Sequence, residues 1–205
     1  MKQIDWLFFD VGSTLVNEEK AYQDRIKQAL ADTNISYAAF YQTMIHYFME
    51  NKKGDVEALK YYGLKCPSWK SDLETLYPGC KHVLKTLHSH YKIGILANQL
   101  PNLLAILRNF GIDSWIDLVI SSADVGLAKP DFAIFELAFQ QANCLAEHAV
   151  MIGDRLDNDI LPAKQLGMQT IWIRQGFSRL THITNPAETP DWTVDNLIEI
   201  LEILG

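Results

Sequence analysis

Two acidic residues of this sequence each follow a short hydrophobic run, and a third lies close behind the second. Asp10 ends the run at residues 4–9, and Asp154 follows the run at residues 149–152. Asp159 comes shortly after Asp154 in the same loop. Carboxylates that crowd together raise one another's pKa unless a cation lies between them. Mg²⁺ is a hard cation that accepts oxygen ligands, so these three acids are candidate ligands for magnesium.

A lysine can add positive charge to these acids from a separate loop. Lys129 stands directly before Pro130, between two of the hydrophobic runs. A carboxylate nucleophile, Mg²⁺ and a lysine are the components of phosphoryl transfer, because the metal and the lysine neutralise the phosphate and let an anionic carboxylate approach it. A single aspartate after a strand usually caps the next turn, and only the combination favours catalysis.

Five short apolar runs, none of which alternates with polar residues, predict parallel β-strands covered on both faces. They occupy residues 4–9, 93–97, 118–120, 149–152 and 170–173. Helical patterns separate the later runs, beginning at Pro101, Pro130 and Asp159. This alternation predicts an α/β fold, a Rossmann-like doubly wound parallel sheet, whose ligands bind at the carboxyl ends of the strands. The polar residues at those ends are Asp10, Asn98, Ser121, Asp154 and Arg174.

The stretch between residues 17 and 76 shows helical patterning and no strand signal. Aromatic and aliphatic residues recur there at helical spacing, with Ser36 as the expected N-cap of one helix. We expect a small α-helical cap at residues 17–76 that overhangs the strand ends, with its aromatic side chains in a core of its own. Residues 1–16 and 77–205 would form the Rossmann-like catalytic core, with a return hinge at residues 77–79.

The composition predicts an acidic globular protein. Its 205 residues are 48% hydrophobic, and 18 basic against 25 acidic side chains give a net charge of −7. No basic run stands out, which argues against nucleic acid or an anionic membrane as a partner. No apolar stretch approaches the ~18 residues of a membrane span. The cysteines are three in number and lack a CxxC pair, as is typical of reduced thiols. We expect a cytoplasmic monomer or homodimer.

Four segments, in this order along the chain, resemble the motifs of the haloacid dehalogenase-like hydrolase superfamily. They are residues 9–15 (FDVGSTL), 95–98 (ILAN), 126–130 (GLAKP) and 153–159 (GDRLDND). The resemblance covers nearly the whole chain and places the helical stretch between the first and second motifs. It implies a Rossmann-like core with a helical cap, and Mg²⁺-dependent hydrolysis of a small phosphorylated metabolite through an aspartyl-phosphate intermediate.

The resemblance also implies which residues hold the metal. Asp10 would be the nucleophile and a magnesium ligand, and Asp154 would be the other direct carboxylate ligand. Gly12 would offer the metal its backbone carbonyl, and Asp159 would act through water or from behind the direct ligands.

The phosphate would be bound by residues of three loops. Lys129 would bridge Asp10 and the phosphate, which makes it a catalytic residue as well as a phosphate ligand. Asn98 and the backbone amides around Gly12 and Ser13 would bind the phosphate oxygens.

Two positions depart from the family pattern. Phosphatases of this family carry a second aspartate two residues after the nucleophile, which protonates the leaving group and later activates water; here that residue is Gly12. Such help is worth about 10²–10⁴-fold, so its loss should slow alkyl phosphates more than esters with good leaving groups. Ala97 stands where the second motif normally offers Ser or Thr, which removes a hydrogen bond to phosphate worth ~1.5–3 kcal/mol.

Three interpretations of these departures remain open. In the first interpretation the protein is a phosphatase. It is either slow or supplied with an acid by the cap, where the candidates are Glu18, Glu19, Glu50 and Asp55. Alternatively it is a phosphonatase that uses Lys52 or Lys53 as a Schiff base, or a dehalogenase, although dehalogenases replace the Gly-Asp pair found here at residues 153–154. In the third interpretation the site binds phosphate and Mg²⁺ without turnover.

Other charged residues near these motifs are expected to be structural. Arg155 and Arg174 are predicted to lie at the surface. Asp157 is predicted to lie at a helix N-terminus, where an acid complements the helix dipole.

Overall fold

Six parallel strands form the central sheet of the protein, which the computed structural model describes over residues 3–99 and 101–205. With two short strands outside this sheet, the strands are β1 (Trp6–Phe9), β2 (Val16–Asn17), β3 (Thr75–Leu76), β4 (Lys92–Ala97), β5 (Leu118–Ser121), β6 (Ala149–Gly153), β7 (Gln169–Ile173) and β8 (Trp192–Val194). The helices are α1 (Glu19–Leu30), α2 (Tyr37–Met49), α3 (Gly54–Tyr61), α4 (Cys80–His88), α5 (Leu103–Phe110), α6 (Ser122–Val125), α7 (Phe132–Ala142), α8 (Leu161–Gln165) and α9 (Ile200–Leu204). None of the helices in these described ranges has the length and hydrophobicity needed to cross a membrane.

The order of the strands across the sheet is β5-β4-β1-β6-β7-β8. From β1 the chain builds outward through β4 and β5, and it then crosses back to build β6, β7 and β8 on the other side. In the register of the sheet, Phe9 is paired with both Ile95 and Ile152. The loops after β1, β4 and β6 therefore leave the same edge of the sheet at its switch point, where open α/β sheets bind ligands. The predicted doubly wound parallel sheet is confirmed.

Alternate residues of the central strand enter two separate layers of core. Leu7 and Phe9 pack with residues of α4, α5 and α9, among them Leu107. Phe8 packs on the opposite face with residues of α7, among them Phe135. All five of these side chains are fully buried. Because helices cover both faces of the sheet, its strands show no polar alternation in the sequence.

Helices α1, α2 and α3 pack around a small core of their own, in which Phe40 and Met44 of α2 are fully buried. Ser36 is the N-cap of α2, as predicted, and its Oγ accepts a hydrogen bond from the backbone N–H of Ala39 at 3.2 Å. The helical patterning in this part of the sequence therefore produces three helices with a shared interior.

Two short strands lie at the ends of this helical segment, where the sequence predicts none. β2 and β3 pair antiparallel, with Val16 opposite Leu76 and Asn17 opposite Thr75. The expectation of helices alone is wrong at these positions, because two-residue strands are too short to show any periodicity. Their pairing brings the start and the end of the helical segment together.

Two helical elements begin at other residues than predicted. Helix α5 begins at Leu103 rather than at Pro101, because Asn102 has a left-handed φ of 69° that no α-helical residue adopts. The helix predicted from Asp159 begins earlier, as a π-helical turn over Leu156–Ile160 that leads into α8. Asp159 therefore lies inside a helical turn rather than at its start.

Candidate active site

A lysine ammonium lies between two carboxylates at the switch point of the sheet. Asp10 follows β1, and its backbone N–H donates to the carbonyl of Ile152 in β6 at 2.9 Å. Nζ of Lys129 donates to Oδ1 of Asp10 at 2.7 Å and to Oδ1 of Asp159 at 2.6 Å. Burial of the lysine opposes its charge, but the two carboxylates outweigh burial and raise the pKa of Lys129. The ammonium therefore stays charged.

Asn98 holds the backbone of this lysine. It follows β4, its Nδ2 donates to the carbonyl of Lys129 at 2.7 Å, and its Oδ1 accepts from the N–H of Lys129 at 2.8 Å. The sequence predicts that Asn98 binds phosphate, whereas both ends of its amide here bind the lysine backbone. One N–H of the amide remains for another acceptor. Asn98 therefore positions Lys129.

Asp154 completes a group of three carboxylates. One oxygen from each of Asp10, Asp154 and Asp159 lies within 4.8 Å of the others. Burial, followed by the charges of the other two acids, raises the pKa of Asp154 well above its usual value. Burial also raises the pKa of Asp10 to about 6, although Lys129 acts in the opposite direction. One lysine cannot balance three crowded carboxylates, so a divalent cation that prefers oxygen ligands fits this group.

The loop that carries Asp154 also holds Asp159. Oδ2 of Asp159 accepts the backbone N–H of Arg155 at 3.0 Å. The carboxyl group of Asp159 lies so close to Gly153 that a Cβ on residue 153 would overlap it. Glycine at this position therefore allows Asp159 to reach Lys129.

The turn after Asp10 uses its polar groups internally. The N–H of Ser13 donates to the carbonyl of Val16 at 2.8 Å, and its hydroxyl donates to Oε2 of Glu18 at 3.0 Å. The sequence predicts the Ser13 amide as a phosphate donor, but this amide is already bonded within the turn. Gly12, the neighbouring predicted ligand, lines the cavity between the strand ends and the helical segment.

The carboxyl group of Glu18 lies beside Gly12. A Cβ built on Gly12 would be 2.9 Å from each carboxyl oxygen of Glu18. Burial raises the pKa of Glu18 to about 8. Sequence reasoning names Glu18 only as one of four acids, because the direction of its side chain depends on the turn that precedes α1.

A cavity of about 500 Å³ separates the strand ends from the helical segment. The three carboxylates, Lys129 and Glu18 are among the residues that line it. Four aromatic side chains line it as well, and they are Tyr22, Phe48, Trp69 and Phe177. Phe177 comes from the loop after β7, and its ring stacks on Phe48 with the ring centroids 4.3 Å apart. The aromatic residues predicted as core of the helical segment thus also shape the cavity.

Arg155 connects the loop after β6 to the helical segment. Its Nη2 and Nε donate to the two carboxyl oxygens of Asp157 at 2.6 and 3.0 Å, and Nη2 also donates to the carbonyl of Asn51 at 2.9 Å. The prediction that Arg155 lies at the surface is wrong, since it lines the cavity. Arg155 directly follows Asp154, a candidate metal ligand, and this position in the sequence was the signal that could have placed it in the site. Arg174 pairs with Asp195 at the surface, as predicted.

Known proteins with similar sequences or folds match this chain over most of its length. The pyrimidine 5'-nucleotidase YjjG of Escherichia coli is 26% identical, over 98% of this chain and 97% of its own. The glyceraldehyde 3-phosphate phosphatase of Pyrococcus abyssi is 30% identical, over 83% of this chain and 81% of its own. The crystal structure of the HAD-hydrolase YfnB from Bacillus subtilis, bound to magnesium, has a TM-score of 0.75 at 22% identity and covers 100% of both chains.

The family model for haloacid dehalogenase-like hydrolases matches residues 4–167. This range contains Asp10, Lys129, Asp154 and Asp159. Because the match covers far more than half of the sequence, the chain belongs to the haloacid dehalogenase-like hydrolase family.

Proposed function

We propose that the protein is a magnesium-dependent phosphatase that hydrolyses a small phosphorylated metabolite through an aspartyl phosphate on Asp10. The observation that carries this proposal is the contact of Lys129 with Asp10 inside a group of three carboxylates. The names of the two relatives, a nucleotidase and a sugar-phosphate phosphatase, support it. We also place the protein in the cytoplasm, as the sequence predicts.

In the proposed mechanism Asp10 is the nucleophile. Lys129 binds one of its carboxyl oxygens, which leaves the other oxygen to attack phosphorus. The P–O bond of the ester breaks, the electron pair leaves with the ester oxygen, and the phosphoryl group becomes attached to Asp10. Water then attacks the phosphorus and releases inorganic phosphate. The buried ammonium of Lys129 stabilises negative charge in both steps.

The donor set of the site fits a magnesium ion. Asp10 and Asp154 would hold it directly together with the backbone carbonyl of Gly12. Asp159 would act through water, since its two oxygens already accept from Lys129 and from the backbone of Arg155. When bound, the ion supplies positive charge that neutralises the phosphate.

Hydrolysis of p-nitrophenyl phosphate tests the proposal, because this leaving group needs no acid. The wild type should release p-nitrophenolate with Mg²⁺, and EDTA should stop the release. Asp10→Asn should abolish it, whereas Asp72→Asn, a matched change at an exposed aspartate, should retain it. Wild-type protein that hydrolyses none of a panel of activated phosphates would contradict this function and favour binding without turnover.

The two other hydrolase chemistries fit the site less well. A Schiff base needs a neutral amine, but Nζ of Lys52 donates to Oε2 of Glu50 at 2.7 Å, and this hydrogen bond raises the pKa of Lys52. Borohydride should therefore trap no adduct of phosphonoacetaldehyde on Lys52. Dehalogenases of this family need no metal, whereas the three crowded carboxylates here fit a divalent cation. Halide release from 2-haloacids in EDTA would favour dehalogenation instead.

A further inference from the structure

The space beside residue 12 is filled by the end of another side chain. Gly12 has no side chain of its own, and a Cβ built on it would lie 2.9 Å from Oε1 and 2.9 Å from Oε2 of Glu18. A carboxyl group therefore occupies the region into which a side chain of residue 12 would extend. Both Glu18 and Asp10 line the cavity.

Local structure directs Glu18 toward this position. Glu18 is the N-cap residue of α1, but its side chain does not cap the helix. Asn17 takes part of this role, because its Oδ1 accepts the N–H of Glu19 at 2.9 Å. The hydroxyl of Ser13 binds Oε2 of Glu18 at 3.0 Å. Within residues 3–99 and 101–205, Glu18 has no second side-chain hydrogen bond, so Oε1 is available to a ligand in the cavity.

The three other acids predicted as candidates are poorly placed for proton transfer. Asp55 lines the cavity but is bound to Nη1 of Arg25 at 2.5 Å. Glu50 binds Lys52 and is 42% exposed. Glu19 is exposed and accepts a hydrogen bond from Gln23. Glu18 is thus the one acid among the four predicted candidates that lines the cavity without a cationic partner.

We propose that Glu18 is the catalytic acid and base of this enzyme, supplied by the start of α1 in place of a side chain at position 12. The inference rests on the proposed phosphatase function. In the first step an oxygen of Asp10 bonds to phosphorus, the ester P–O bond breaks, and the leaving oxygen takes the electron pair and the proton of Glu18. In the second step water bonds to phosphorus and gives a proton to Glu18, and the electron pair of the Asp10–phosphorus bond returns to Asp10. Glu18 ends the cycle protonated, as it began.

The variant Glu18→Gln separates these two steps. It keeps the size of the side chain and an oxygen acceptor for Ser13, but it cannot transfer a proton. Turnover of an alkyl phosphate such as glycerol phosphate should fall about 10²–10⁴-fold. With p-nitrophenyl phosphate the first step should stay close to the wild-type rate, while the second becomes slow. The variant should therefore show a burst of p-nitrophenolate and accumulate phosphoenzyme that is detected after acid quenching.

Glu19→Gln is the matched control, because it makes the same change at the next residue, whose side chain is exposed. It should match the wild type in both assays. If Glu18→Gln also matches the wild type, the inference is overturned while the phosphatase proposal stands. Wild-type protein that hydrolyses no phosphate ester would instead contradict the proposed function.

A rescue experiment provides a second test that does not depend on Glu18→Gln. Glu18→Ala empties the space beside Gly12, and adding Gly12→Asp returns a carboxyl group to it. The double variant should regain much of the alkyl phosphatase activity that Glu18→Ala loses. A double variant whose circular dichroism matches the wild type, but whose activity stays at the level of Glu18→Ala, would overturn the inference.

Discussion

Phe177 joins a loop of the sheet to the helical segment, and its removal tests the strength of that connection. Its ring stacks on Phe48 with centroids 4.3 Å apart and planes 5° apart. It also meets Tyr22 edge-on at 5.2 Å and Tyr41 at a tilt at 6.2 Å. The ring is a partly buried member of the core of the helical segment, although it belongs to the loop after β7.

The variant Phe177→Ala should lower the free energy of unfolding by about 2–4 kcal/mol. Three aromatic pairs at ~0.5–1.5 kcal/mol each contribute ~1.5–4.5 kcal/mol. Truncation of a fully buried phenylalanine costs ~3–5 kcal/mol, and the partial exposure of Phe177 places the expected loss below that upper limit. Because Phe177 also lines the cavity, KM for p-nitrophenyl phosphate should rise.

Urea unfolding followed by circular dichroism measures this loss. Phe132→Ala is the matched control, because its ring on α7 is 40% exposed, and it should cost about 1 kcal/mol or less. If Phe177→Ala is no more destabilising than Phe132→Ala, the reasoning that this aromatic stack holds the helical segment against the sheet is refuted.

Two further changes test the loops at the strand ends. Gly12→Asp alone should leave kcat for alkyl phosphates at or below the wild-type value. The Cβ of residue 12 would lie 2.9 Å from the oxygens of Glu18, so two carboxyl groups would compete for one space. A higher kcat would show that position 12 limits turnover. Asn98→Ala should lower kcat about 10–100-fold, because it removes two hydrogen bonds worth ~0.5–1.5 kcal/mol each from the backbone of Lys129. Asn109→Ala, at an exposed position of α5, should leave kcat unchanged, and equal kcat values for both asparagine variants would contradict the positioning role.

The strand ends could be predicted because buried parallel strands leave a clear pattern in a sequence. The runs before Asp10, Asn98 and Asp154 are short and mostly apolar, and each overlaps a strand of the sheet. Neighbouring parallel strands end at one edge, so the order of the strands alone brings these residues together. Lys129 follows the short helix α6 rather than a strand. Its position in the site could therefore be predicted only from the motif at residues 126–130.

The directions of side chains could not be predicted in the same way. Glu18 and Glu19 are adjacent acids, yet only Glu18 lies against Gly12, because the turn after β1 sets its direction. Asn98 offers an amide that is suited to phosphate, but the loop of Lys129 takes both of its ends. Arg155 is bound by a backbone carbonyl far away in the sequence. Each of these contacts depends on tertiary structure and leaves no periodic signal.

The pairing of β2 with β3 has a consequence for how this enzyme could diversify. Since Asn17 and Thr75 are neighbours across that ribbon, evolution could exchange the chain between them for one of another length without disturbing the register of the main sheet. Glu18 lies just inside this junction. A replacement segment would therefore change two things at once, the residue that transfers the proton and the side chains that line the substrate cavity. Selectivity for the leaving group would evolve together with the means of protonating it.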